Sequence, residues 1–304
     1  MYHNPVLLEQ SVAGLSVDPA GTYVDVTFGG GGHSRRILEL LGPSGRLVAF
    51  DQDPDAAANV PADDRVTFVA ANFRHLKRFL QYHHAYPADG ILADLGVSSH
   101  QFDTADRGFS HRMEGELDMR MNSDRGVTAA QVVNTYPAER LADIFFRYGE
   151  LSDARQLAAL IVRRREENGI RTTTELADAM SPLLPRGKEN KVLAQIFQAL
   201  RIEVNDEMGA LHEFLSQTAD ALKPGGRLSV ISYHSLEDRL VKNYMRAGNF
   251  EGTVEKDFFG QPLCPFTPVN RKPLLPDEQE LADNPRARSA KLRVAQRNAS
   301  PNPR

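Results

Sequence analysis

Two periods of hydrophobic spacing alternate along the first hundred residues of this chain, and their changes mark its elements. Runs that are continuously apolar or alternate with period two, at Tyr23–Phe28, Arg46–Phe50, Val66–Ala70 and Gly90–Leu95, predict strands. Segments with helical spacing lie between them. Ser34–Leu41 places Ile37, Leu38 and Leu41 on one face, a second helix opens after Asp53-Pro54, and a third covers His75–Tyr82. Strand–helix alternation of this kind predicts an α/β domain built on a doubly wound parallel sheet.

The pattern breaks after Leu95. From about Phe102 to Glu207 the sequence is charged and helix-prone, with amphipathic stretches at Ala138–Tyr148, Ala154–Glu167, Thr174–Met180 and Lys191–Leu200. Helix Leu211–Leu222 and a Lys-Pro-Gly-Gly turn then lead into a strand at Gly226–Tyr233. A passage with Pro262, Pro265, Pro268, Pro273 and Pro276 reads as an extended surface loop, and Ala290–Gln296 alternates like a last strand. The economical organisation is a discontinuous α/β domain, 1–102 with 208–304, interrupted by a helical insertion at 103–207. The tail Asn298–Arg304 reads as disordered.

Composition narrows the function classes. With 304 residues the chain can bury a full core. A formal net charge of −4 excludes a uniformly basic surface, so any nucleic-acid contact has to come from local patches. The single cysteine, Cys264, excludes a disulfide framework and a cysteine-based zinc site, and fits a reducing compartment. The opening Met1-Tyr-His-Asn-Pro-Val lacks the order of a signal peptide, and no apolar run approaches the ~18 residues of a membrane span. A cytoplasmic protein with no membrane association is the expectation.

The densest chemistry is Thr22-Tyr-Val-Asp-Val-Thr-Phe-Gly-Gly-Gly-Gly-His33, running into the helix at Ser34. A strand, a loop without Cβ atoms and a helix N-terminus together form a nucleotide-type cofactor site. The spacing is not that of a dinucleotide site. Gly29–Gly32 are followed by His33 and Ser34, so the glycine that Gly-x-Gly-x-x-Gly places inside the helix is missing. An adenosine-plus-amino-acid ligand such as S-adenosylmethionine fits better, its methionine end held by backbone near Gly31–His33.

Each strand tip adds a candidate. At Asp51-Gln-Asp-Pro-Asp55, Asp53 precedes Pro54 and reads as an N-cap, while Asp51 is placed to accept ribose hydroxyls. Phe73 either plugs the core or covers an adenine face. Asp94-Leu-Gly-Val-Ser-Ser-His-Gln101 puts a carboxylate and a small-residue loop where cofactor and substrate can both be touched, although Ser98 and Ser99 read equally as turn caps.

These motifs resemble the RsmH (MraW) family. The resemblance rests on Asp25–Ser34, Phe50–Asp55, Asp94–Ser99, Arg107-Gly-Phe-Ser110, Leu117-Asp-Met-Arg-Met121, Phe197–Ile202, Ser232–Arg239 and Asn284–Ser289, with His3–Leu8 at the start. In order, they cover nearly the whole chain. The resemblance implies a Rossmann-like class I S-adenosylmethionine-dependent methyltransferase with an inserted α-helical substrate-recognition domain. Its implied reaction is methylation of the exocyclic N4 amine of a cytidine in 16S rRNA at the decoding centre. Its implied cofactor contacts are Gly31, Gly32, His33, Asp51, Phe73, Asp94 and Gln101. Gly30, where the family carries a larger, often basic residue, and His100, where proline is common, depart from the pattern and bear on loop rigidity and on Gln101.

For such a reaction Asp94, or the carbonyls of Leu95–Val97, would accept the amine hydrogens. A cytosine out of its stack needs an aromatic platform, for which Tyr233 with His234, or Phe109, are candidates; Phe109 reads equally as core. Asp118 and Arg120 read either as a structural pair or as substrate contacts. His234, Ser235, Glu237 and Asp238 lack the Gly-x-Ser-x-Gly elbow of a hydrolase and read as a helix start capped by Ser235. His83-His84 lack metal-ligand spacing, and no metal site is expected. Arg163–Arg165, then Arg186, Lys188 and Lys191, then Arg286, Arg288, Lys291, Arg293 and Arg297 make the candidate footprint for 16S rRNA within the small ribosomal subunit. Alanines at Arg163–Arg165 would then flatten the salt dependence of RNA binding. A homodimer is left open. The competing classes are a nicotinamide-dependent oxidoreductase, which the glycine spacing opposes, and a non-catalytic ribosome-assembly factor, which the retained Gly31–His33, Asp51 and Asp94 oppose.

Overall fold

Seven strands form one sheet in the computed structural model, which describes residues 5–299. They are β1 (Thr22–Asp25), β2 (Arg46–Asp51), β3 (Val66–Ala70), β4 (Ala88–Asp94), β5 (Leu222–Ser232), β6 (Phe266–Pro268) and β7 (Lys291–Arg297), in the order β3-β2-β1-β4-β5-β7-β6. The first five are parallel; β7 runs antiparallel to β5 and β6 antiparallel to β7. The order reverses between β1 and β4, and at such a switch point the strands' carboxyl ends open a crevice. His3 and Asn4 of the N-terminal motif, and the tail from residue 300, lie outside the described residues.

The helices are α1 (Leu8–Leu15), α2 (Gly32–Leu40), α3 (Leu76–Tyr82), α4 (Ser99–Asp103), α5 (Ala129–Thr135), α6 (Ala138–Arg147), α7 (Ala154–Glu167), α8 (Thr173–Met180), α9 (Glu189–Asn205), α10 (Glu207–Ala221), α11 (Ser235–Ala247) and α12 (Glu278–Asp283). None among the described residues is long and apolar enough to cross a membrane.

The chain divides into two units, Met1–Gly96 with Met208–Arg304, and Val97–Glu207. The first unit holds the sheet. Its core joins Val24, Val48, Phe50, Ile91 and Val230 of the strands to Leu76 and Leu80 of α3 and to Phe214 and Leu215 of α10. The second unit is helical and buries a core of its own, with Phe145, Ile161, Leu176, Ile196 and Leu200 almost fully enclosed. Apolar stripes on α6, α7 and α9 converge there, so this segment has the material for an independent hydrophobic centre.

Several elements differ from the sequence reading, each for a local reason. The assigned ladder of β1 stops at Asp25 rather than at Phe28; Val26 N and Phe28 N still donate to the carbonyls of Leu92 and Phe50, and side chains take over the bonds only around Thr27. Thr27 N donates to Asp25 Oδ1, and Thr27 Oγ1 accepts from Asp94 N at 2.6 Å. The segment after Asp53-Pro54 is a 3₁₀ turn, Pro54–Asn59, capped by Asp53 as expected of it. The Lys-Pro-Gly-Gly turn is an irregularity inside β5. Leu222 pairs with Ala88 and Arg227 with Gly90, so the intervening residues bulge out, with Gly225 at φ +85°. The proline-rich passage is not all surface loop, since β6 lies within it and Phe266 is buried against the sheet. Proline is tolerated there because β6 is an edge strand.

Candidate active site

The glycine turn is tied down from three sides. Gly31 adopts φ +76° as the N-cap of α2 and donates from its N–H to the carbonyl of Phe28 at 2.7 Å. A Cβ at Gly31 would press on the Phe28 ring, and one at Gly32 would collide with the Pro5 ring. These two glycines are therefore required by close packing as well as by any ligand. No side chain caps α2, so the first-turn N–H groups of Gly32 and His33 remain at the positive end of a helix. An anionic ligand group fits this end, as does the carboxylate of an amino acid.

Beneath the turn sits Asp25, fully buried at the end of β1, where its Oδ2 accepts from Ser34 Oγ at 2.7 Å. Burial raises its carboxyl pKa, opposed by His33 and by the bonds from Ser34 and Thr27. Asp25 therefore links the last residue of β1 to the first turn of α2 and sets the angle at which the glycines pass.

Asp51, at the tip of β2, accepts from Gly29 N at 2.7 Å and from Asp53 N at 2.9 Å. Burial pushes its carboxyl up to about 6, against the pull of the Asp53 and Gly29 amides. At the tip of β3 the Asn72 side-chain amide donates to Gln52 Oε1. The next residue, Phe73, is half-buried and meets Phe214 edge-on at 5.3 Å. Both its sequence readings survive, since one edge of the ring plugs the core while part of it stays accessible.

Asp94 ends β4 and is the centre of the richest cluster. Tyr233 donates from its hydroxyl to Asp94 Oδ1 at 2.7 Å, and His33 Nδ1 stands 3.9 Å from Asp94 Oδ2. His33 itself is buried and bonded through Nε2 to the carbonyl of Val6, which fixes that nitrogen as the protonated one. The Asp94 side chain as a whole keeps 23% exposure. Burial pushes its carboxyl up to about 6; His33 and the Tyr233 hydroxyl pull it down, while Asp25 and Glu237 add to the rise. Burial, with Asp94 alongside, drives the Tyr233 phenol well above its ordinary range. A protonated Tyr233 and an ionisable Asp94 form a directed donor–acceptor pair.

Tyr233 therefore has a different role from an aromatic platform alone. Its hydroxyl orients Asp94, and Glu237 Oε2 accepts from its backbone N–H at 2.9 Å. His234, offered as its partner against a base, is the N-cap of α11 and accepts from Glu237 N through Nδ1. That corrects the capping role expected of Ser235. An unprotonated ring nitrogen occupies the place of the usual hydroxyl oxygen.

In the helical unit, Phe109 is 5% exposed and belongs to the core, so it cannot serve as a platform. Asp118 and Arg120 form a forked pair, with Arg120 Nη2 to Asp118 Oδ2 at 2.7 Å. Asp118 also accepts from Arg120 N and shapes the turn, which favours the structural reading over substrate contact. Gln101 is buried in α4, where its Oε1 accepts from Ser98 N in a reciprocal capping box. That engagement explains its burial without a ligand.

The basic clusters separate into anchored and outward cations. Arg165 donates to the carbonyls of Val133 and Tyr136, Arg293 and Lys291 converge on Asp238, and Arg297 donates to the carbonyl of Ala219. Arg163, Arg186, Lys188, Lys191, Arg286 and Arg288 are exposed. Sequence reasoning assigned no role to Asp25 or Thr27, and read Glu237 only as part of the helix start after His234. A buried-strand carboxylate four residues before a glycine run was the usable signal for the first. The second and third act through backbone N–H groups, which leave no pattern in side-chain spacing.

The MraW methylase family model matches residues 1–298 of the chain. The chain is 59% identical to the ribosomal RNA small subunit methyltransferase H of Bacteroides thetaiotaomicron over 296 residues, 97% of each protein. It is 58% identical to the protein of the same name from Parabacteroides distasonis, again over 97% of each, and 57% identical to that of Christiangramia forsetii, over 97% of this chain and 98% of that one. A glycine turn under a helix N-terminus, carboxylates at successive strand tips and full-length agreement with these relatives converge, and the chain belongs to the MraW methylase family.

Proposed function

We propose that this protein transfers a methyl group from S-adenosylmethionine to the exocyclic N4 amine of a cytidine in 16S rRNA, at the decoding centre of the small subunit. The relatives' name supports the substrate class, and the carboxylate at the tip of β4 supports the chemistry. The observation that carries the reading is Asp94 at the tip of β4, its Oδ1 engaged by the Tyr233 hydroxyl while the side chain keeps partial exposure.

S-adenosylmethionine brings an electrophilic methyl group on a sulfonium. The uncapped N-terminus of α2 suits its carboxylate, Asp51 suits its ribose hydroxyls, and Phe73 offers a ring to its adenine. A cytosine amine is weakly nucleophilic because its lone pair is delocalised into the ring. Asp94 Oδ2 accepts a hydrogen bond from the amine and localises that pair on nitrogen. As the nitrogen–carbon bond forms and the carbon–sulfur bond breaks, the amine proton passes to Oδ2, and the sulfur pair leaves as the neutral thioether. Tyr233 keeps the carboxylate from rotating away, a positioning contribution of several kcal/mol in favourable cases.

The test is methyl transfer from labelled S-adenosylmethionine to unmethylated small subunits, followed by mass spectrometry of the rRNA digest. Label on the N4 of one decoding-centre cytidine is the expected result. Label on a ring carbon, on another base or on protein would overturn the assignment.

For the RNA face, the outward cations carry the footprint. Alanines at Arg186, Lys188 and Lys191 are expected to lower the slope of log K against log salt by about 2–3, roughly one for each phosphate that a cation neutralises. Alanine at Arg165 is expected to act through stability instead, because two backbone carbonyls lose their donor. Filter binding across a salt series separates the two.

A further inference from the structure

Glu237 is 3% exposed, a carboxylate enclosed in the first turn of α11 that has no part in the transfer step. Burying a carboxylate is costly unless its oxygens are engaged, so the partners of those oxygens indicate its task. A capping box would return a glutamate at this third helical position to the N–H of the N-cap residue, His234. Here Oε2 accepts at 2.9 Å from the N–H of Tyr233, one residue earlier. That residue carries the hydroxyl that donates to Asp94 Oδ1 at 2.7 Å. His234 closes the grip. Its Nδ1 accepts from Glu237 N, so the proton sits on Nε2, which stands 3.2 Å from Glu237 Oε1. Asp238, the next residue, takes Lys291 and Arg293 and fixes this turn of α11 to β7.

We propose that Glu237 is a positioning residue for methyl transfer, which holds the Tyr233 backbone so that the hydroxyl meets Asp94 and sets a negative charge against that carboxylate. The proposal rests on the reading that Asp94 receives the amine proton. Asp94 is faced by Asp25 from β1, His33 from α2, Tyr233 after β5 and Glu237 from α11, and Glu280 of α12 acts on Tyr233. His33 and the Tyr233 hydroxyl favour the ionised form of Asp94, whereas the carboxylates Asp25 and Glu237 oppose it. A more basic carboxylate takes the amine proton more readily, and that basicity is what a buried anion at Glu237 contributes. In exchange, Asp94 ionises at higher pH.

The experiment measures methyl transfer to unmethylated small subunits across a pH series. It compares wild type with Glu237→Gln, Glu237→Ala, Tyr233→Phe and the Tyr233→Phe/Glu237→Ala double variant, each with its urea midpoint. Glutamine keeps an oxygen for Tyr233 N but no charge. The inflection at about 6 is therefore expected to move down by about half a unit or more, opposite to the shift expected of Tyr233→Phe. Alanine removes the bond, so the rate above the inflection is expected to fall about tenfold, and glutamine to recover most of it. Because Glu237 holds Tyr233, adding Glu237→Ala to Tyr233→Phe is expected to cost less than about threefold more. A residue that only stabilises the helix would lower the urea midpoint and leave the inflection in place. An unmoved inflection in Glu237→Gln, or losses that multiply in the double variant, overturns the proposal. Transfer to an atom other than a cytidine N4 sinks the substrate reading alone, since shift and coupling are then read on that reaction. No transfer by wild type overturns both.

Discussion

Asp94→Asn is expected to lower the rate of methyl transfer at saturating substrates by about two to three orders of magnitude, the cost of removing one well-placed electrostatic partner from a transition state. Asparagine keeps the size of the side chain and can still accept from the Tyr233 hydroxyl, so the loss reports charge rather than collapse. S-adenosylmethionine affinity, measured by calorimetry, is expected to change far less than the rate. The pH profile carries the mechanism. Asp94 accepts from the amine only when ionised, and its carboxyl sits at about 6. The wild-type rate therefore climbs with pH through about 6 and levels above it, and the Asp94→Asn profile loses that inflection. Tyr233→Phe removes a bond that favours the carboxylate, so its inflection moves to higher pH and its rate recovers partly as pH rises. A wild-type inflection that persists in Asp94→Asn would assign the titration to another group.

The sequence announced the sheet because its parallel strands are buried on both faces, which leaves short continuous apolar runs such as Leu47–Phe50 and Ile91–Ala93. Val66–Ala70 and Ala154–Glu167 were legible to the residue. What escaped were elements too short or too polar for periodicity, including α4, α12 and β6. The strand tips were legible for a similar reason. A carboxylate closing an apolar run, as Asp51 and Asp94 do, stands against its background. The links between tips were not. The bonds Thr27–Asp94, Asp94–Tyr233 and Tyr233–Glu237 join residues up to 139 positions apart, and only the sheet order brings β1, β4 and β5 side by side. Phe109 shows an ambiguity that only the fold resolves. An aromatic beside glycine in a polar stretch reads equally as platform or core, and the enclosing helices place it in the core.

The buried charge that serves catalysis should also weaken the fold, and the effect has a definite sign. Asp94 is pushed from 3.8 up to about 6 in the folded chain. Well below pH 3.8 the carboxyl is protonated in both folded and unfolded states, and burial costs nothing extra. Between about pH 3.8 and 6 the unfolded chain ionises this carboxyl while the folded chain keeps it protonated, so stability is lost across that window and levels off above it. Asp94→Asn escapes that penalty. The nominal shift corresponds to about 3 kcal/mol, which the remaining exposure of the side chain reduces to roughly 1–2 kcal/mol. Urea unfolding is therefore expected to show the inactive variant more stable than wild type at pH 7.5, with the difference shrinking as pH falls from 6 and closing below 3.8. A variant equal to or weaker than wild type at pH 7.5 would mean that Asp94 is already compensated by His33 and Tyr233 in the resting enzyme. Uncompensated, the same carboxylate favours a cationic sulfonium over its neutral thioether product. The margin by which wild type binds S-adenosylmethionine more tightly than S-adenosylhomocysteine should then narrow in Asp94→Asn, because the charge that destabilises the empty site is the charge that tells donor from product.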